Sequence, residues 1–73
     1  MVQRYDTGTR VEWNWGAGTG TGLVEESFTS RVERSFDGTD VVRNADHDNP
    51  AYLIEQEDGT RVLKSHSELS NKT

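Results

Sequence analysis

The chain has 73 residues, no cysteine and a hydrophobic content of 30%, so we expect one small domain whose core lacks disulfide or thiolate metal support. Its formal net charge of −5 argues against indiscriminate nucleic-acid binding, which relies on basic side chains against phosphates. No segment approaches the ~20 apolar residues of a membrane span, and the first residues lack the apolar stretch of a secretory signal. We therefore expect a cytoplasmic protein without membrane contact.

The first predicted strand covers residues 10–15 and leads into a glycine-rich segment. Val11, Trp13 and Trp15 alternate along it, so all three side chains point to one face of the strand. Every second residue from 16 to 22 is glycine, which permits sharp bends and a close approach of the backbone. A strand that runs into such a kinked corner is typical of small β-barrels.

The remaining predicted strands are short and are separated by turn signals. The second covers residues 20–29, and the next four are joined in pairs by Asp-Gly dipeptides, which are strong hairpin signals. The two hairpins are Asp37-Gly38 between strands 31–36 and 39–44, and Asp58-Gly59 between strands 51–57 and 60–65. A two-residue turn at each dipeptide sets the register, with these facing pairs: Arg34 with Val41, Phe36 with Thr39, Glu33 with Val42, Ile54 with Leu63, and Gln56 with Arg61.

Residues 65–69 are predicted to form a capped helical turn, with Leu69 closing one end of the fold, and residues 70–73 to fray. The predicted fold class is all-β: a small SH3-like barrel of five to six short antiparallel strands with a short C-terminal helical turn. Residues 1–73 form a single domain, ordered over about 5–69. The predicted core is Val11, Trp13, Leu23, Val24, Phe28, Val41, Tyr52, Ile54, Leu63 and Leu69.

The two halves of the sequence resemble one known family. The opening motif is Gly8-x-x-Val11-x-Trp13-x-Trp15-Gly16-x-Gly18-x-Gly20-x-Gly22-x-Val24, and residues 49–59 and 62–69 are similar to that family's closing hairpin and terminal turn. The family is that of the hypervirulence-associated protein Tudor domain, common in bacteria. The resemblance extends from about Tyr5 to Leu69 and is poorest over residues 29–48. It implies a Tudor-like, SH3-like barrel with a non-enzymatic role, and Tudor relatives often bind methylated lysine or arginine in an aromatic cage.

The aromatic residues are the first candidate for a binding site. Aromatic faces that converge at a barrel rim attract a cation by ~0.5–2 kcal/mol per good contact, and acidic neighbours favour a basic ligand. The alternative is that the same side chains only form the core of a very short chain. We predict a groove at the barrel rim that recognises a protein or peptide segment. Its ligand-binding residues are Trp13, Trp15, Phe28 and Tyr52.

The basic residues of the two hairpins are the second candidate. They suggest nucleic-acid contacts, which the net charge disfavours, and their ordinary explanation is pairing with acidic neighbours. These residues are Arg31, Arg34, Arg43, Arg61 and Lys64. A third possibility is self-association through an open edge strand or an exposed Trp15, so the expected state is a monomer or a weak homodimer.

No motif in the sequence predicts catalysis, a metal or a cofactor. Asp46-His47-Asp48 has metal-ligand types, but adjacent side chains of a short loop do not converge, so we interpret it as a solvated loop. Ser65-His66-Ser67 lacks the context of a nucleophile elbow. The glycine run lacks the Gly-Lys-Ser/Thr ending of a phosphate-binding loop. We therefore predict a protein that is not an enzyme and has no catalytic residues.

Overall fold

The computed structural model describes residues 4–36 and 38–71. Over these residues the chain is all-β, as predicted from the sequence, and its one helical segment is a 3₁₀ turn at His66–Glu68. No helix in the described part has the length and apolar character needed to cross a membrane. The strands are β1 (Arg10–Trp15), β2 (Gly18–Phe28), β3 (Val32–Phe36), β4 (Thr39–Arg43), β5 (Ala51–Glu55), β6 (Arg61–Ser65) and β7 (Ser70–Asn71).

Five of these strands form one antiparallel sheet in the order β6-β5-β2-β1-β7, and β3 pairs with β4 in a separate hairpin. The long strand β2 contains a register irregularity between Val24 and Glu26, and such a bulge bends a strand. The prediction that residues 70–73 fray is wrong for Ser70 and Asn71, because they pair with β1 as β7. Residues 72 and 73 lie outside the described part.

Three of the four alternating glycines, Gly18, Gly20 and Gly22, lie inside β2 and do not form a separate corner before it. Gly16 has a φ of +50° in the two-residue turn between β1 and β2, where primed turns require a positive φ. A Cβ on Gly20 would lie 2.6 Å from the Trp13 ring, and one on Gly22 would lie 2.6 Å from the Glu55 carbonyl oxygen. The glycines therefore make room for a tryptophan ring and for the passing end of β5.

The predicted register is confirmed in the β3–β4 hairpin and wrong by one residue in the β5–β6 hairpin. Arg34 faces Val41 as expected, with Asp37 of that turn outside the described residues. In the second hairpin Ile54 faces Val62, and Leu63 faces Leu53. The N–H of Gln56 donates to Thr60 O at 2.8 Å and that of Gly59 donates to Gln56 O at 3.0 Å, while Gly59 has a φ of +89°. The loop therefore has three residues, with glycine in the left-handed position, and not two.

This one-residue shift places Ile54 and Leu63 on opposite faces of the hairpin, and two hydrophobic clusters result. We name them the main cluster and the hairpin cluster. The main cluster consists of Val11, Trp13, Val24, Tyr52, Ile54 and Leu69, with Tyr5 and Val62 against it. The hairpin cluster consists of Val32, Ala51 and Leu63, with Phe28, Phe36, Val41 and Ala45 against it.

The predicted core is confirmed at seven of its positions and differs at three. The prediction that Leu23 is a core residue is wrong, because Leu23 is 43% exposed. Phe28 and Val41 are only partly buried. Val32 and Ala51 are buried core residues that the sequence pattern did not indicate. The seven confirmed positions are Val11, Trp13, Val24, Tyr52, Ile54, Leu63 and Leu69.

The C-terminal turn agrees with its prediction. The Ser65 N–H donates to the Glu68 carboxylate at 3.1 Å, which satisfies a backbone donor at the start of the turn. Leu69 follows directly and is buried in the main cluster. The turn thus fixes Leu69 beneath the sheet and directs the chain back towards β1.

Candidate binding surfaces

The structure does not bring together the four aromatic side chains that were predicted to line one groove. Trp13 and Tyr52 are buried in the main cluster, and Phe28 packs against the hairpin cluster. Trp15 is 63% exposed, although it follows Trp13 on the same strand at a spacing of two residues. The ligand-binding role of the four residues stays a prediction. Tyr52 is completely buried and Phe28 is partly buried, so Trp15 is the most exposed of the four.

Tyr52 has a structural role that explains its burial. Its hydroxyl oxygen accepts the Tyr5 N–H at 3.1 Å and lies 2.9 Å from Nδ1 of His66. Because that oxygen already accepts a proton from Tyr5, its own O–H is free to donate to Nδ1 of a neutral His66. Burial raises the pKa of Tyr52 and lowers the pKa of His66, so both side chains are neutral near pH 7. The Tyr5 ring stacks on His66 with centroids 4.5 Å apart.

A groove runs along the part of β2 that precedes its pairing with β5. β2 pairs with β1 from Gly18 onward, whereas its pairing with β5 begins only at Leu23. A cavity of about 330 Å³ lies there, lined by Trp15, Thr19, Gly20, Thr21, Gln56, Glu57 and Asp58. A neighbouring cavity of about 240 Å³ shares Thr21, Gln56 and Glu57 and extends to Arg10, Leu23 and Glu55. We call these two cavities together the acidic edge groove.

The charges of the acidic edge groove are mostly negative. Glu55 lies 3.8 Å from Arg61, whereas Glu57 and Asp58 form no ion pair with another described residue. The Asp58 carboxylate accepts the Thr60 hydroxyl at 2.6 Å and the Thr60 N–H at 3.0 Å, and these bonds lower the pKa of Asp58. Glu57 is exposed, and within residues 4–36 and 38–71 it has no cationic partner. Arg10 is the cation of the lining. Trp15 and Leu23, the large exposed hydrophobic side chains among the described residues, lie at the two ends of this groove.

Four of the five predicted basic residues line a second groove, between the β3–β4 hairpin and β6. Arg34 and Arg61 border a cavity of about 500 Å³. Arg43, Arg61 and Lys64 border an adjoining cavity of about 250 Å³. Phe36 lines both cavities, which we name together the hairpin groove. Arg31 is exposed and is not among its lining residues.

The cations of the hairpin groove already have partners within the domain. Nε of Arg61 lies 2.6 Å from Glu25, which raises the pKa of Arg61. Nε of Arg43 lies 2.8 Å from the Glu68 carboxylate, and Nζ of Lys64 lies 3.8 Å from it. The Arg34 guanidinium lies 5.0 Å from the centre of the Phe28 ring, within cation–π range.

Glu68 is the carboxylate that connects this groove to the C-terminal turn. Burial raises its pKa, but the bonds from Arg43 and the Ser65 N–H and the charge of Lys64 outweigh burial, so the pKa of Glu68 lies below its usual value. Glu68 is therefore ionised at neutral pH and compensates two of the cations. The ordinary explanation of these basic residues, pairing with acidic neighbours, applies to Arg43, Arg61 and Lys64.

The loop at Asp46-His47-Asp48 is organised by its own backbone. The Asp46 carboxylate accepts the N–H groups of Asp48 at 2.9 Å and of Asn49 at 2.8 Å, the pattern of an Asx turn. In the described part of the chain no three His, Asp or Glu side chains lie close enough together to hold a metal ion. His47 and Asp48 are exposed, as expected for a solvated loop.

Sequence reasoning missed most of the acidic edge groove. It singled out Trp15 but not Thr19, Thr21, Gln56, Glu57 or Asp58. The sequence did offer one signal, the adjacent acidic residues Glu57 and Asp58 at a predicted hairpin turn. Both carboxylates of such a turn lie close to any strand that neighbours it. No sequence signal showed that this loop lies beside β2.

A barrel-like, all-β domain with two surface grooves belongs to the class of small β-modules. Within that class, the family described as hypervirulence associated proteins TUDOR domain matches residues 8–69. The match covers most of the chain, so the protein belongs to this family, as the resemblance indicated. Comparisons with curated proteins and with solved structures found no match.

Proposed function

We propose that this domain is a cytoplasmic, non-enzymatic binding module that recognises a basic segment of another protein at the acidic edge groove. The observation that carries the proposal is the exposure of Trp15 beside Glu57, a carboxylate without a cationic partner among the described residues. An aromatic residue is among the commonest hot spots of protein interfaces. Membership of a Tudor domain family supports a binding role and leaves the ligand open.

The chemistry of the groove favours lysine or arginine in the partner. The ring face of Trp15 attracts a cation, and the aliphatic stem of lysine packs on apolar surface while its ammonium stays in water. Glu57 and Asp58 lie on the same groove and supply the opposite charge. An acidic partner would meet repulsion from these carboxylates and from a chain whose formal net charge is −5.

The proposal is tested by NMR titration of the ¹⁵N-labelled domain with a capped Thr-Val-Lys-Val-Thr peptide, with Thr-Val-Glu-Val-Thr as the matched probe. We expect the lysine peptide to shift the Trp15 indole resonance and the Glu57 amide, and the glutamate peptide to bind at least about tenfold more weakly. The rotational correlation time, measured first, is expected to be that of a monomer.

Two variants locate the binding site. Trp15→Ala is expected to weaken binding of the lysine peptide by about tenfold or more, the usual effect of truncating a hot spot. Arg34→Ala, in the hairpin groove, is the control and should leave binding within about twofold. Equal binding of both peptides, or shifts confined to Arg34, Arg43 and Arg61, would contradict the proposal.

A further inference from the structure

Backbone polar groups of β2 point into the acidic edge groove. The turn at Gly16-Ala17 has two residues, so Trp15 and Gly18 form a pair that exchanges both hydrogen bonds, and such pairs recur at every second position. The Val24 N–H donates to Thr9 O at 3.0 Å, which continues the same alternation. The even-numbered residues of β2 therefore bond towards β1. Thr19 and Thr21 direct their N–H and C=O groups the opposite way.

Nothing in the described residues pairs with these groups. β5 pairs with β2 only from Leu23 to Phe28, because β5 ends at Glu55 and the chain then enters the β5–β6 loop. No backbone hydrogen bond outside the strand pairings involves Thr19 or Thr21. A strand edge with free donors and acceptors is a template for another strand, and here the template adjoins a cavity of about 330 Å³.

We propose that the partner of this domain binds as an added β-strand along Thr19–Thr21, with lysine or arginine among its alternate residues. This inference rests on the proposed function and specifies how the segment is held. Main-chain hydrogen bonds to Thr19 and Thr21 supply affinity that is independent of the partner's sequence, and side chains supply selectivity.

The geometry assigns a place to the side chains of the added strand. Gly18 lies opposite Trp15, and a Cβ on Gly18 would meet nothing within 4 Å. A partner side chain that points to the glycine face therefore passes over Gly18 and reaches the exposed Trp15 ring by a diagonal contact. Glu57 and Asp58 border the same cavity and attract a basic side chain.

Charge complementarity distinguishes a basic segment from a second copy of this chain. Pairing two copies edge to edge would bring Glu57 and Asp58 of each towards those of the other, between molecules whose formal net charge is −5 each. A basic extended segment neutralises the same carboxylates. The free edge is also short, which suits a peptide better than a stable sheet-to-sheet dimer.

The first test varies the backbone of the ligand. The capped Thr-Val-Lys-Val-Thr peptide is N-methylated at one residue at a time, and each form is titrated into the labelled domain. Its single central lysine fixes the register. Methylation at alternate residues is expected to weaken binding about tenfold or more, because it removes N–H groups that face β2, while methylation at the intervening residues leaves binding within about twofold.

The second test varies the edge of the domain. Thr21→Pro removes an N–H that faces the groove, and proline is tolerated on an edge strand when its nitrogen faces outward. Thr21→Val keeps the N–H and the β-branched shape, so it is the matched control. We expect the proline variant to bind the lysine peptide about tenfold more weakly than the valine variant does, and equal binding by the two variants would overturn strand addition. If the proline variant does not fold, the methylation series decides alone.

The failures of the two proposals are distinguishable. If the lysine peptide binds and depends on Trp15 but tolerates methylation at every position, strand addition is overturned and the proposed function stands. If the domain does not prefer the lysine peptide, both fail. A free protein with the correlation time of a dimer and with protected Thr19 and Thr21 amides would assign the edge to a second copy and overturn the inference.

Discussion

The acidic edge groove and the hairpin groove both lie near the β5–β6 hairpin, but they differ in how far their charges are paired within the domain. In the hairpin groove Arg61 and Arg43 form ion pairs with Glu25 and Glu68 at 2.6 and 2.8 Å. In the acidic edge groove the exposed Glu57 has no cation beside it among the described residues. Charge that is already paired stabilises the fold modestly, whereas unpaired charge is available to a partner. To identify a binding surface, one therefore needs to know which charges are already paired within the domain as well as which residues are charged.

The same contrast separates the two tryptophans of β1. Trp13 fills the main cluster against Gly20, and Trp15, two residues further on, lies at the acidic edge groove. Both side chains belong to the same face of one strand. Trp13 packs among the buried residues of the main cluster, whereas Trp15 is the last residue of β1 and is exposed.

We expect truncation of the two tryptophans to affect stability very differently. Trp13→Ala is expected to lower the free energy of unfolding by about 3–5 kcal/mol, the usual cost of truncating a buried aromatic side chain. Trp15→Ala should change it by less than about 0.5 kcal/mol, as for most surface positions. Urea unfolding followed by circular dichroism measures both. Similar losses in the two variants would mean that Trp15 belongs to the core.

A smaller effect is expected from leaving the cations of the hairpin groove unpaired. Glu25→Gln combined with Glu68→Gln removes the carboxylates that compensate Arg61, Arg43 and Lys64. We expect a stability loss of about 1–2 kcal/mol, since exposed ion pairs contribute ~0.2–1 kcal/mol each. We also expect several-fold tighter binding of a single-stranded oligonucleotide, with a steeper salt dependence because more phosphates are contacted.

The control for that experiment is Glu57→Gln. It removes a carboxylate from the acidic edge groove, which is not part of the hairpin groove lining, and should leave oligonucleotide binding nearly unchanged. Fluorescence anisotropy at two salt concentrations measures the binding. Tight, salt-dependent binding by the unmodified domain would instead favour the nucleic-acid alternative. If Glu57→Gln tightened oligonucleotide binding as much as the double substitution, the lower net negative charge alone would explain the tighter binding.

The smallest expected effect concerns His66, which contributes to neither groove. Burial lowers the pKa of His66 from the value of 6.5 that it has when unfolded, so near pH 6 the unfolded chain binds more protons than the folded one. Its contribution to stability is therefore complete above about pH 6.5 and is lost as the pH falls below that value. A protonated Nδ1 can no longer accept the Tyr52 hydroxyl proton.

Urea unfolding between pH 5 and pH 8 measures this dependence. His66→Asn is expected to flatten the profile between pH 5 and 7, with His47→Asn, in the exposed loop, as the matched substitution. An unchanged slope in the His66 variant would show that another group controls stability in this range. Binding of the lysine peptide by the His66 variant should match the wild-type at pH 7.5, because the acidic edge groove does not include His66.

Local signals predicted much of the fold. The bounds of β1, the register at Asp37-Gly38 and the turn after Ser65 all follow from residues close together in the chain, whose alternation and turn preferences leave few alternatives. The register of β5–β6 did not follow, because Asp58-Gly59 fits a two-residue turn and also a three-residue loop with Gly59 in the left-handed position. The two loops differ by one residue, and the longer one places Leu63 and Ile54 on opposite faces of the hairpin.

The all-β class, the family and most of the core follow from the sequence, because alternation and glycine spacing act over short distances. Which aromatic side chain is exposed and which charges are paired depends on how the strands are arranged in space. Trp15 is exposed although Trp13, two residues before it, is buried, and Arg61 is compensated by Glu25 from 36 residues away. Contacts between residues so distant in the chain depend on how the strands are arranged in space, and no local pattern encodes them.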